Sequence, residues 1–94
     1  MTIPYEETKE IAVRLTSEEA VVLFELLSRW TATDNHDTPS STCFEDRSEC
    51  AVLHGLLCDL ESLLVAPLRD DYEQILSRAR EQLAPRWDGA TLRE

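Results

Sequence analysis

Thr16-Ser17-Glu18-Glu19-Ala20-Val21-Val22-Leu23-Phe24-Glu25-Leu26-Leu27-Ser28-Arg29-Trp30 carries both a start signal and a packing face for a helix. The Thr16 hydroxyl can accept from the amide three residues on, while Glu19 reaches back to the Thr16 amide, a reciprocal cap. Glu18 and Glu19 also stand at the positive end of the helix dipole. Ala20, Leu23, Phe24, Leu27 and Trp30 recur at the spacing of one helical face, and Val22 and Leu26 widen it on one side. The pattern predicts a helix over residues 17–32 whose face other helices must cover.

Upstream, residues 1–9 read as a flexible lead-in. Ile11, Val13 and Leu15 then alternate with Ala12 and Arg14, the period of a half-buried strand. No other stretch alternates so clearly. A lone strand cannot satisfy its own backbone groups, so this one lies along the helices or pairs with another edge. Antiparallel pairing with its own copy, through Ile11, Val13 and Leu15, is the economical solution.

Downstream, residues 33–46 concentrate the turn formers and form a connection longer than most between helices. Phe44 is expected to turn inward at its end. A second helix is expected over residues 46–65, stopped by Pro67. Leu53, Leu57, Leu60 and Leu64 make its stripe, flanked by Val52, Leu56 and Leu63, with Gly55 on the thinner face. So broad an arc suggests the central element, covered on more than one side. Asp70 and Glu73 repeat the cap spacing before a third helix that ends at Leu83, ahead of Pro85. Tyr72, Ile75, Leu76, Ala79 and Leu83 form its apolar face. The expected fold is all-α: a single three-helix domain over residues 10–84, with residues 85–94 as a tail in which Trp87 either docks or binds.

Composition narrows the function classes. Nineteen carboxylates against nine basic side chains give a net charge of −10, in a chain that is 43% hydrophobic. That hydrophobic content separates it from a disordered acidic tail. Only two glycines occur, too few for a phosphate-cradling loop or for the corners of a small β-barrel. The negative sum disfavours nucleic acid and favours a basic protein as partner. The first residues lack the basic and apolar regions of a signal peptide, and no apolar run could span a bilayer. Three cysteines, an odd count, suit a cytoplasmic protein with reduced thiols.

Cys50, His54 and Cys58 fall on one flank of the second helix and are zinc-ligand types, with Cys43 upstream. Cys50 and Cys58 are separated by about 12 Å of helical rise, too far for one ion or one disulfide. Cys50 is expected to pack as a small hydrophobe, with His54 and Cys58 at the rim. No metal or cofactor is assigned. His36, between Asn35 and Asp37, lacks a nucleophile to serve as a base for, and the calcium-loop pattern is absent. Trp30 belongs to the core stripe. No catalytic residue is assigned, so an enzyme is not expected.

Charge is unevenly distributed. Residues 34–49 hold five acids against Arg47, net −4; residues 59–73 hold five against Arg69, again net −4. Were these segments neighbours, they would form one acidic lobe. Asp34, Asp37, Glu45, Asp46 and Glu49 are the expected partner-binding residues.

The opening stretch, together with Leu60-Glu61-Ser62-Leu63-Leu64-Val65-Ala66-Pro67 and Tyr72-Glu73-Gln74-Ile75-Leu76-Ser77-Arg78-Ala79-Arg80, resembles a group of small acidic helical bacterial proteins. The likeness spans residues 10–83 but consists of helix caps and core positions, so it implies a fold and no activity. Small acidic proteins of this shape resemble immunity proteins or antitoxins, which implies neutralisation of a basic partner such as a toxin. The alternatives are a structural or regulatory homodimer and a small helical enzyme or metal-binding protein that uses Cys50, His54 and Cys58.

Overall fold

A computed structural model describes residues 9–33 and 37–94. Among these residues lie three α-helices and no strand: α1 (Ser17–Thr31), α2 (Arg47–Leu63) and α3 (Tyr72–Leu83). Short 3-10 turns occur at Ser41–Cys43, Ala66–Leu68 and Ala84–Arg86. No helix among the described residues is long and apolar enough to cross a membrane.

α1 begins as its sequence predicts. The Glu19 amide donates to Thr16 Oγ1 at 3.1 Å, and the Thr16 amide donates to Glu19 Oε1 at 2.7 Å. These bonds hold the Glu19 carboxyl below the ordinary carboxylate range, backbone bond first, with the Arg86 guanidinium adding to the effect.

α1, not α2, is the central element. Every residue from 18 to 30 is buried or half-buried, because α1 packs against α2 on one flank and α3 on the other. α2 and α3 are not packed against each other in the same way. Toward α2, Leu27 joins Leu57 and Leu60 in a buried cluster, with Ala20, Leu23, Phe24, Trp30, Leu53, Leu56 and Leu64 around it. Toward α3, Val21 is buried, as are Leu76 and Ala79. The broad apolar arc of α2 meets only one helix, so Val52 and Leu63 stay on the surface.

Both outer helices run antiparallel to α1. Cys50 and Leu53 share a cleft with Leu27 and Trp30, whereas Leu63 and Leu64 share one with Ser17 and Val21. The Tyr72 hydroxyl, at the start of α3, donates to Glu25 Oε1 at 2.7 Å. Past the end of α3, Arg86 Nη1 pairs with Glu19 Oε2 at 3.1 Å. Burial and the Glu25 carboxylate together push the Tyr72 phenol far above its ordinary value.

The cap expected from Asp70 and Glu73 does not form. Asp71 is the N-cap of α3, in a turn conformation (φ −95°, ψ 23°) that makes no side-chain cap bond. Its carboxylate turns instead to Arg69, with Nε donating to Oδ1 at 2.8 Å and Nη2 to Oδ2 at 3.2 Å. The tight turn after Ala66–Leu68 aims the side chain away from the helix amides, and a forked donor two residues earlier takes it.

Candidate partner-binding site

The start of α2 is built from carboxylates that also cap it. Asp46 Oδ1 accepts from the Ser48 amide at 2.8 Å and from the Ser48 hydroxyl. The Glu45 amide donates to Glu49 Oε1 at 2.9 Å, one turn into the helix. Two free amide donors are thus satisfied by acids favoured at that end of the dipole. The Ser48 hydrogen bonds hold the Asp46 carboxyl below the ordinary carboxylate range, so it is ionised at neutral pH.

Of the expected partner-binding residues, Glu45, Asp46 and Glu49 are brought together here, all exposed. Asp37 is exposed a few residues before the Ser41–Cys43 turn. Asp34 lies outside the described residues, as does His36. Glu45, Asp46 and Glu49 make no ion pair among the described residues; the arginine pairs are Arg69 with Asp71 and Arg86 with Glu19.

The two acidic segments meet only loosely. The starts of α2 and α3 lie toward the end of the molecule where α1 finishes, but they are staggered. α2 extends six residues beyond Leu53, which packs beside Leu27 and Trp30, whereas Tyr72 meets Glu25. At 1.5 Å per residue the axial offset is about 14 Å. Glu45, Asp46 and Glu49 therefore form a tip, and Asp70, Asp71 and Glu73 a separate group alongside α1.

Apolar hollows adjoin the tip. Phe44 turns inward at the end of the connection and is half-buried. On one side of it a cleft of about 230 Å³ is bounded by Trp30, Pro39, Cys50 and Leu53. On the other, Phe44, Val52 and Leu53 floor a shallow hollow whose rim includes Ser48 and Glu49. Sequence reasoning missed Val52 as a surface residue by counting it with the core. The width of the α2 arc, beyond what one neighbour covers, was the available signal.

The thiol and imidazole groups do not assemble. Cys43, Cys50 and Cys58 are all exposed, so Cys50 is not the buried hydrophobe expected of it. Cys58 Sγ lies 3.8 Å from His54 Nδ1, a weak pair one turn apart. Among the described residues no group of three or more His, Cys, Asp or Glu side chains is placed to hold a metal ion.

Two other segments bear on binding. Ile11, Val13 and Leu15 are exposed to 71%, 79% and 42%, so the segment is not laid along the helices. Trp87 is 54% exposed, with its indole Nε1 donating to the Thr91 carbonyl at 2.9 Å, and does not enter the core. No family model matches the chain, and no curated protein or solved structure is significantly similar to it.

Proposed function

We propose that this chain is a protein-binding module without chemistry of its own, which receives a basic protein at the exposed start of α2. One juxtaposition carries the reading: Glu45, Asp46 and Glu49, free of arginine partners, stand beside hollows floored by Phe44, Val52 and Leu53. The carboxylates would steer a cationic surface inward, and the hollows would take an apolar anchor from it. The matching feature on the partner is a lysine or arginine flanked by an aliphatic or aromatic side chain. In its fullest form this is neutralisation in the bacterial cytoplasm, with the acidic tip covering the cationic site of a toxin-like protein. The net charge of −10 sets the same surface against nucleic acid and anionic lipid.

Affinity capture from a bacterial lysate, with the native chain against an Asp37→Lys, Glu45→Lys variant, tests the reading. Asp46 and Glu49 are spared because they cap α2. The native chain should retain a basic protein at 50 mM salt and release it near 0.5 M, and the variant should not retain it. Identical sets of proteins on both, at either salt, would overturn the assignment.

A further inference from the structure

We propose that His54 and Cys58 hold a zinc ion on the exposed flank of α2, through Nδ1 and Sγ, with its other positions left to water or to an outside ligand. This goes beyond the reading of the α2 tip and does not depend on it. It is also a smaller site than the three-ligand one excluded by helical rise, because Cys50 takes no part.

The separation of the two donor atoms carries the assignment. Zinc makes bonds of about 2.3 Å to sulfur and about 2.0 Å to nitrogen, so at the tetrahedral angle these atoms stand about 3.5 Å apart. Cys58 Sγ and His54 Nδ1 are 3.8 Å apart, and a small rotation of two exposed side chains removes the excess of about 0.3 Å. Both residues lie inside α2, away from its ends, so the helix itself sets them one turn apart on one flank. Little further ordering is needed when the ion arrives.

The surroundings leave room for an ion and attract it. His54 and Cys58 are both exposed. At Gly55, next to His54, nothing stands within 4 Å of where a side chain would begin. Glu61, three residues past Cys58, is exposed and makes no ion pair among the described residues. It adds to a net charge of −10, a field that concentrates cations near the surface.

Donor chemistry selects the class of ion. A thiolate beside an imidazole suits zinc and discriminates against magnesium and calcium, which take oxygen ligands. On binding, the Cys58 thiol gives its proton to solvent as the Zn–S bond replaces a bound water. The lone pair of His54 Nδ1 replaces a second water, and its ring proton sits on Nε2. Among the described residues no third His, Cys, Asp or Glu side chain completes a metal cluster, so the remaining positions stay open.

Cobalt(II) titration of the reduced, untagged full chain provides the test, read in the thiolate-to-cobalt charge-transfer band of the near ultraviolet. The native chain should develop the band at one thiolate per cobalt, and zinc should abolish it. Cys58→Ser and His54→Ala should each weaken binding by roughly tenfold or more, at least what losing even an outer partner of a metal ligand costs. Cys50→Ser should bind as the native chain does. Circular dichroism should show equal helix content in all four proteins, since every substituted side chain is exposed. The proposal would be overturned by a native chain without the band, by native affinity in Cys58→Ser or His54→Ala, or by loss of the band in a folded Cys50→Ser. Displacement of cobalt by excess magnesium would overturn it too, assigning the binding to surface carboxylates.

Discussion

Asp46 shows how one side chain can serve the fold and the candidate site together. Its carboxylate holds the Ser48 amide and hydroxyl, which stabilises the start of α2, and the same bonds keep it ionised and aimed outward. Because it titrates below its ordinary value of 3.8 when folded, its stabilisation is complete above that value. It is lost as pH falls through the lower, folded value. Replacement by asparagine, itself a good cap, keeps the hydrogen bond and removes the titration. Denaturant midpoints measured between pH 5 and 2 should therefore fall less steeply for Asp46→Asn than for the native chain. Equal slopes would mean that the bond does not distinguish the two charge states. Tyr72, half-buried at the start of α3, closes that helix onto α1 through Glu25.

At the scale of the element, the three helices carry unequal shares of the packing. α1 has two neighbours and no fully solvated side, whereas α2 and α3 each offer one face to α1 and the other to water. Truncation should follow that order. Leu27→Ala removes a buried side chain from the main cluster and should cost about 3 kcal/mol. Val52→Ala, equally apolar but exposed on α2, should change stability by less than about 0.5 kcal/mol. Urea unfolding of the two variants checks this, and equal losses would return α2 to the centre of the fold. Helix starts, stops and faces were legible because capping and periodicity act over three or four residues. The start of α3 was not, since the choice of Asp71 between helix amides and Arg69 depends on the turn that precedes it.

The whole molecule is open for its length. Its radius of gyration is 16.1 Å, where a compact chain of 94 residues has about 12 Å. Among the described residues six hydrophobic side chains are buried and no polar one. A small core under a net charge of −10 leaves self-repulsion a large share of the balance. Raising sodium chloride from 0.02 to 0.5 M should accordingly raise the thermal midpoint at low micromolar concentration, by several degrees. A flat or falling midpoint in calorimetry would show that the carboxylates are already far enough apart. The candidate site was half legible: the carboxylates could be read from the sequence, but the hollows beside them depend on Phe44 folding against Leu53 across the turn.

The chain by itself determined the class of fold, the ends of α1, the stop of α2 before Pro67 and the sign of the surface. Each follows from backbone hydrogen bonding and side-chain spacing along a few consecutive residues, or from a simple sum. Tertiary packing decided that α1 is the spine, that the two acidic segments are staggered, and that Val52 and Leu63 face water. How many neighbours a helix acquires depends on the paths of its connections, and an apolar arc states what could be covered, not what is.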